Sequence, residues 1–207
     1  MAQDSEPADH PIVAFDFDGT LTTKDSFTAF LKWRTPVPRW ALGGLRLIPA
    51  ACSYLIHRDR GRIKAAAVRE YLRGVPRKRL EADARQFAEL YSRSLLRPDA
   101  VMAWKRWRDE PVRLVIVTAS PDLVVAPFAR GLGADDLIGT PLHFDAQDRA
   151  TGTFASPNCR GPEKVVRLRA TFGETLRVRA AYGDTTGDTE MLSIAEEPYY
   201  RVFTGRP

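Results

Sequence analysis

The sequence is poor in cysteine, with only Cys52 and Cys159 among its 207 residues. They lie far apart and show none of the short spacings of a structural metal site. The chain therefore predicts no disulfide framework and favours a reduced, cytoplasmic setting. Residues 1–10 are polar and acidic, without the basic start and apolar run of a signal peptide, and are predicted to form a disordered tail.

Long hydrophobic runs are also missing, since no stretch has the roughly 20 consecutive apolar residues of a membrane-spanning helix. The nearest approach is residues 40–56, which contain Arg46 and Pro49. A central arginine costs about 2.5–3.5 kcal/mol on membrane-insertion scales. We expect this segment to stay out of the bilayer core, although it could lie flat on a membrane surface.

Acidic residues are outnumbered by basic ones: 26 Asp and Glu stand against 31 Lys and Arg, a formal net charge of +5. This balance favours anionic partners, such as phosphorylated metabolites, anionic lipid surfaces or nucleic acid, and it also fits plain solubility. No recognised nucleic-acid-binding motif accompanies the charge, so a nucleic-acid partner is not expected.

Short apolar segments alternate with helical patterns outside one long insertion. This alternation predicts an α/β fold, with a Rossmann-like parallel sheet and helices on both of its faces. Residues 137–144 and 151–154 are expected to pair as a hairpin. Strands are predicted at residues 11–17, 112–117, 137–144, 151–154, 178–182 and 199–203.

The insertion, residues 23–96, is poor in strand patterns and is punctuated by Gly61, Gly74 and Pro76. Its periodicity indicates three to five helices, which predicts an inserted, all-helical cap. The expected organisation is the tail at 1–10, an α/β core domain formed by 11–22 and 97–207, and the cap domain at 23–96.

Acidic and hydroxyl side chains follow three of the predicted strands directly. Ligands of parallel α/β sheets bind beyond the carboxyl ends of the strands, so these loops are expected to meet. Two acidic loops side by side would make a hard oxygen site suited to Mg²⁺. Each loop alone has a plainer interpretation as a polar turn. The three segments are Asp16-Phe17-Asp18-Gly19-Thr20, Thr118-Ala119-Ser120 and Gly183-Asp184-Thr185-Thr186-Gly187-Asp188.

Two helix starts add to this pattern. Ser120-Pro121-Asp122 predicts a helix that is capped by Ser120 and whose free amides favour an anion. Lys164 falls in the first turn of a helix predicted at 162–172, where a cation opposes the helix dipole. That placement suggests another partner for its charge, although an exposed surface lysine is the simpler interpretation of Lys164 alone.

Taken in order, these motifs resemble those of the haloacid dehalogenase superfamily of phosphatases. The match runs from about residue 11 to about residue 204. The resemblance implies that Asp16 is a nucleophile that forms an aspartyl-phosphate. It also implies that Asp18 protonates the leaving alcohol and later activates water.

The resemblance further implies a metal site and a phosphate site. Asp188 would orient the metal shell or Lys164, and Thr20 would support the site. Mg²⁺ would be held by an oxygen set: the Asp16 carboxylate, the Asp18 main-chain carbonyl and Asp184. The phosphoryl oxygens would be held by hydroxyl, ammonium and amide donors: Thr118, Lys164 and the amides of Gly19 and Ala119.

The insertion resembles the type-one helical cap of phosphoserine phosphatases and of bacterial phosphatidylglycerophosphatase C. Asp25 stands where phosphoserine phosphatases carry a glutamate for the substrate's amino group, which makes it the expected substrate-facing residue near the cap. Three segments look more similar to the lipid phosphatase: Asp25 to Phe27, the apolar segment of the cap at residues 40–56, and residues 159–164.

Three hypotheses about function stay open at this stage. The basic, partly apolar cap favours an anionic phosphate ester, including a lipid such as phosphatidylglycerophosphate, with peripheral contact at the inner membrane surface. The alternative is a soluble small-metabolite phosphatase, with phosphoserine as the obvious substrate. The third is a non-catalytic protein on an inherited phosphatase scaffold, against which the intact acidic and lysine set argues.

Overall fold

Strands and helices alternate along the chain, and the strands form one central sheet. The computed structural model describes residues 10–50, 52 and 60–207. The strands are β1 Ile12–Phe15, β2 Arg113–Pro121, β3 Asp136–Thr140, β4 Leu142–Phe144, β5 Ala150–Phe154, β6 Val178–Gly183 and β7 Ala195–Tyr200. All neighbours in the main sheet are parallel, in the order β3-β2-β1-β6-β7, and β4 and β5 form a separate antiparallel pair.

Helices lie between these strands and in the predicted insertion. Short helical turns at Phe17–Leu21 and Thr186–Asp188 add to the loops after β1 and β6. The helices are α1 Ser26–Arg34, α2 Val37–Arg46, α3 Arg60–Leu72, α4 Arg77–Leu95, α5 Pro98–Arg108, α6 Asp122–Leu132, α7 Pro162–Phe172 and α8 Thr189–Ser193.

The central strand β1 is buried on both faces, which its uninterrupted apolar sequence predicts. Val13 and Phe15 belong to one apolar cluster, whereas Ile12 and Ala14 belong to another on the opposite face. Successive side chains of a strand point to opposite faces, so each face of the sheet has its own core. The prediction of a Rossmann-like α/β sheet is confirmed.

Two strand predictions differ from the structure in pairing or position, and a third, 112–117, continues four residues further to Pro121 in β2. Residues 137–144 do not form one hairpin strand: Asp136–Thr140 joins the main sheet, and only Leu142–Phe144 pairs with β5. Pro141, which has no N–H to donate to a ladder, separates the two. The last strand is Ala195–Tyr200 rather than 199–203; it is an edge strand, the position in a sheet that tolerates Pro198.

The helices α1 to α4 fall within the predicted cap, and the chain enters and leaves this region through two adjacent segments. Thr22 and Leu96 form an antiparallel bridge. The Thr23 amide donates to the Leu95 carbonyl at 2.8 Å, and the Arg97 amide donates to the Leu21 carbonyl at 2.9 Å. The two crossings therefore form a narrow connection directly behind the loop after β1.

Two sequence predictions lie wholly or partly outside the described residues. The tail at 1–10 does so except for His10, and the segment 40–56 is described only at 40–50 and 52. Among the described residues, no helix has the length and apolar character needed to cross a bilayer.

Candidate active site

A cavity of about 220 Å³ opens at the carboxyl edge of the sheet, where the loops after β1, β2 and β6 meet. It lies at the position where the chain order reverses, because β2 and β6 flank β1 on its two sides. Of the ten residues singled out from the sequence, nine line this cavity: Asp16, Asp18, Gly19, Asp25, Thr118, Ala119, Lys164, Asp184 and Asp188. The tenth, Thr20, lies behind them and donates to Asp184 Oδ1 at 3.4 Å.

Lys164 is buried, with 1% of the residue exposed, and its Nζ is held by three oxygens. It donates to Asp16 Oδ1 at 2.6 Å, to Asp188 Oδ1 at 2.7 Å and to the Val117 carbonyl at 2.7 Å. Burial opposes the charge, but the two carboxylates raise the pKa of Lys164 above its usual value. The partner expected for this lysine is therefore a pair of carboxylates, and the exposed-surface interpretation is wrong.

Asp188 is buried and closes the loop that follows β6. Its Oδ1 accepts from Lys164, while its Oδ2 accepts from the amide of Thr185 at 2.9 Å and from that of Asp184 at 3.3 Å. Burial works against ionisation, yet Lys164 and these donors lower the pKa of Asp188. Asp188 is thus a fixed carboxylate that orients both the lysine and the backbone beside Asp184.

Asp16 sits at the end of β1 and is 7% exposed. Burial raises its pKa to about 7, and the Asp188 carboxylate adds to this, while Lys164 opposes it. Asp16 shares its one cation with Asp188, so the attraction of Lys164 does not fully offset the loss of water. A metal ion beside Asp16 would supply the positive charge that the carboxylate lacks.

The carboxylates are close enough to share such an ion. Asp16, Asp184 and Asp188 each offer an oxygen, and these oxygens all lie within 4.8 Å of one another. Burial, followed by the charge of Asp188, raises the pKa of Asp184. The same two causes raise the pKa of Asp16. Hard carboxylate oxygens at this separation fit Mg²⁺. Because Asp188 already accepts from Lys164 and two amides, Asp16 and Asp184 are the better ligands.

Asp18 is positioned by two groups, one at the start of helix α1 and one in strand β2. Its Oδ1 accepts from the Ser26 amide at 2.7 Å, and its Oδ2 accepts from the Ser120 hydroxyl. Ser120 is therefore not the helix cap that the sequence predicted. Strand β2 runs on through Pro121, and α6 starts after it without a side-chain cap. The hydroxyl consequently points across the cavity to the acid of the first loop.

Thr118 and Ala119 lie inside the last part of β2, whereas the sequence placed them after a strand ending at Val117. The Thr118 hydroxyl is buried and accepts from the Ser120 amide at 3.1 Å. The Ala119 carbonyl accepts from Thr140 at 3.2 Å, which anchors this turn to β3.

Lys64 was not identified as a site residue from the sequence, where it was one of many cap cations. It reaches from α3 into the cavity and donates to Ser120 Oγ at 3.0 Å. Its Nζ also lies 3.4 Å from Asp25 Oδ2 and 3.7 Å from Asp18 Oδ2. Asp25 caps α1 by accepting from the Thr28 amide at 2.7 Å. No local pattern distinguishes Lys64, because its partners lie on other elements.

Asn158 and Arg160 also line the cavity and were not identified as site residues. Both precede α7, the helix that carries Lys164. Arg160 lies in the segment 159–164 that carried part of the sequence resemblance, although no site role was assigned to it, and the signal for Asn158 was only its position directly before that segment.

The chain is similar to known proteins in sequence and in fold. The family model described as haloacid dehalogenase-like hydrolase matches residues 13–193. Protein CicA of Caulobacter vibrioides (strain NA1000 / CB15N) is 60% identical over 196 residues, which cover 95% of this chain and 88% of the relative.

Two solved structures have a similar fold. A Bordetella pertussis Tohama I protein of unknown function superposes with a TM-score of 0.72 at 22% identity, covering 89% of this chain and 86% of its own. A phosphoserine phosphatase with a phospho-aspartyl intermediate analogue superposes with a TM-score of 0.58 at 15% identity, covering 90% and 83%. At these identities the likeness establishes the shared fold.

Proposed function

The chain belongs to the haloacid dehalogenase-like hydrolases, and from that premise we propose that it is a magnesium-dependent phosphatase acting on phosphate monoesters. The observation that carries the proposal is the contact of buried Lys164 with Asp16 and Asp188, beside Asp184. One cation on helix α7 and three carboxylates from the two loops after β1 and β6 meet in a cavity large enough for a phosphoryl group. Phosphoryl transfer demands this combination of positioning and charge.

In the first step, an Asp16 carboxylate oxygen attacks phosphorus and the ester bond breaks. Asp18 gives its proton to the departing oxygen, which leaves as an alcohol, and Asp16 becomes an aspartyl-phosphate. The contacts of Asp18 with the Ser26 amide and the Ser120 hydroxyl hold it on the leaving-group side. We assign the phosphoryl oxygens to Thr118, Lys164 and the backbone amides of Gly19 and Ala119. In this structure the Gly19 amide donates to Thr22 Oγ1 at a long 3.3 Å.

In the second step, water attacks the same phosphorus from the side that the alcohol has left. Asp18, now a carboxylate, takes the proton of that water, inorganic phosphate departs, and the Asp16 carboxylate is regenerated. Each proton given in the first step is thus recovered in the second.

Mg²⁺ fits the donor set, and we assign it to Asp16, Asp184 and the main-chain carbonyl of Asp18. When bound, the ion neutralises the repulsion between the carboxylates and the anionic substrate. The raised pKa values of Asp16 and Asp184 support the assignment, because burial leaves both carboxylates with too little neighbouring positive charge.

The test is phosphate release from a panel of esters with and without Mg²⁺. We expect turnover that requires the ion and that is abolished by Asp16→Asn. The variant Asp18→Asn should hydrolyse the ester roughly 10²–10⁴-fold more slowly, which is the usual contribution of a general acid and base to the rate. Asp109→Asn, at an exposed acid after α5, is the matched control. Failure to hydrolyse any ester would reject the proposal, and turnover that persists in Asp16→Asn would move the site elsewhere.

The substrate that we favour is an anionic ester with part of its body outside the cavity, such as the lipid phosphatidylglycerophosphate. Supporting this, α2 exposes apolar side chains to solvent: Val37 is 80% exposed and Leu45 is 63% exposed. Arg39 and Arg46 on the same helix both contact Glu70, which directs them toward α3. The face left to the solvent is apolar and could rest in a lipid headgroup layer.

Sedimentation with anionic vesicles separates the lipid substrate from the alternative, a soluble metabolite such as phosphoserine. We expect the protein to sediment with the vesicles. The variant Leu45→Glu should reduce the fraction of protein that sediments. Val166→Glu, at a 57% exposed apolar residue on α7, is the control. A protein that stays in the supernatant and hydrolyses phosphoserine faster than the lipid would favour the soluble alternative.

A further inference from the structure

One cation that the proposed reaction does not use lines the same cavity. Arg160 immediately precedes the turn into α7, the helix that carries Lys164. Its guanidinium makes two long hydrogen bonds, from Nη1 to Thr185 Oγ1 and from Nη2 to Thr186 Oγ1, both at 3.4 Å. Within the described part of the chain, no carboxylate oxygen lies within 4.0 Å of it. The charge of Arg160 is therefore not neutralised by an ion pair there.

Packing against Gly187 holds this guanidinium in place. A β-carbon on Gly187 would lie 2.5 Å from both Cζ and Nη1 of Arg160, which is closer than non-bonded atoms approach. The arginine thus rests directly on the backbone of the loop that carries Asp184 and Asp188. Packing against the Gly187 backbone fixes the position of the guanidinium, and its charge remains available to a ligand.

Among the residues that the structure describes, most of the hydrogen-bonding capacity of Arg160 is unused. A guanidinium has five N–H donors in a planar fork that matches the oxygens of a phosphate or carboxylate. Two of these donors contact neutral hydroxyls at long distance. In contrast, Lys64 on the other side of the cavity already has Asp25 and Asp18 as partners. Arg160 is therefore the better candidate for binding an anion.

We propose that Arg160 binds a second anionic group of the substrate, distinct from the phosphoryl group that is transferred. The inference rests on the proposed function, because that function places the first group beside Asp16 and Lys164. The second group is an oxyanion, either a phosphodiester or a carboxylate. Lys24, an exposed cation that lines the same cavity, adds to the positive potential there.

Binding measured by calorimetry tests this without requiring turnover. The full chain carrying Asp16→Asn is titrated, in the presence of Mg²⁺, with three esters that share a three-carbon unit bearing a terminal phosphate monoester. Glycerol 3-phosphate has no second anion, 3-phosphoglycerate has a carboxylate, and glycerophosphoglycerol phosphate has a phosphodiester. We expect one of the last two to bind roughly 10- to 100-fold more tightly than glycerol 3-phosphate, as charge-assisted hydrogen bonds supply.

Adding Arg160→Met should abolish that preference while leaving glycerol 3-phosphate affinity within about twofold. Arg160→Lys, which keeps the charge but loses the fork, should retain part of it. Arg169→Met is the control, since Arg169 projects from α7 to the solvent, with 45% of its side chain exposed. The preferred ester identifies the second group as a phosphodiester or a carboxylate.

Two results would overturn the inference. One is equal binding of all three esters by the parent protein. The other is a loss in Arg160→Met that is as large for glycerol 3-phosphate as for the doubly anionic esters, which would make Arg160 a support of the loop. An absence of phosphate release from the wild-type chain would reject the proposed function and would leave these affinities measurable.

Discussion

Gly19 lies so close to Asp184 that a β-carbon at position 19 would sit 2.3 Å from Asp184 Oδ2. The backbone of Gly19 also has a φ of 89°, a conformation that L side chains rarely adopt. The first acidic loop therefore fits against the carboxylate of the last one only because residue 19 has no side chain.

Gly19→Ala should displace Asp184 and weaken Mg²⁺ binding by about tenfold or more, measured by calorimetry. The positive φ should also reduce the free energy of unfolding by roughly 1–3 kcal/mol. Gly131→Ala is the control, because its β-carbon would meet no atom within 4 Å in helix α6, and it should leave Mg²⁺ affinity unchanged. Unaltered affinity in Gly19→Ala would contradict the assignment of Asp184 as a ligand.

Lys164→Met should lower the free energy of unfolding by roughly 3–5 kcal/mol, because it leaves two buried carboxylates without their cation. Urea denaturation at pH 7 measures the loss. Lys105→Met, at an exposed lysine on α5, should change stability by no more than about 0.5 kcal/mol. Adding Asp188→Asn to Lys164→Met should restore part of the stability. A loss as small as that of the control would show that the cluster does not need its cation.

Mg²⁺ binding should depend on pH around neutrality. Burial raises the pKa of Asp16 to about 7 in the metal-free protein, so below that pH the ion must displace a proton. Calorimetry in two buffers of different ionisation enthalpy should show proton release at pH 6 that declines by pH 8. Asp16→Asn should reduce this release, and Asp184, whose pKa is also raised, should account for the remainder.

The same shift has a consequence for metal-free stability. The folded state holds the Asp16 proton more tightly than the unfolded chain, whose carboxyl has a pKa near 3.8. The contribution of this group to folding therefore falls as pH rises from about 4 to about 7. Mg²⁺ should oppose that fall, which thermal unfolding at pH 5 and pH 8 with and without the ion would measure. An ion effect that is equal at both pH values would contradict the shift.

The two thiols should differ in reactivity. Cys159 is fully buried, and burial raises its pKa to about 11, so little thiolate exists at neutral pH. Cys52 is exposed. Ellman's reagent at pH 8 should label one thiol rapidly in the native protein and two in denaturant. Rapid labelling of native Cys52→Ser would show that Cys159 is accessible.

The neighbourhood of α7 illustrates what the sequence could and could not predict. The helix at Pro162–Phe172 and its end before Gly173 follow from local patterns, namely proline at the start and glycine after the end. The misplaced charge of Lys164 even indicated that it has a partner. Its partners are Asp16 and Asp188, which lie 148 and 24 residues away in the sequence. No local pattern could identify them.

The contacts of Ser120 and Lys64 could not be predicted from local sequence patterns. Ser-Pro-Asp is a good helix start, so local preference predicted a cap, but β2 continues to Pro121 because its sheet neighbour β3 extends to Thr140. Lys64 has the same local appearance as the other cap cations. Its role is visible only where α3 places it beside Ser120, 56 residues away.

The sequence by itself determined the alternation of strands and helices and the acidic loops at the strand ends, because periodicity and turn chemistry act over a few residues. Tertiary structure alone decided which charges neutralise one another, which hydroxyl donates to Asp18, and that the arginine lining the cavity has no carboxylate partner among the described residues. Electrostatic energies depend on distance in space and on burial, and only the folded chain sets these.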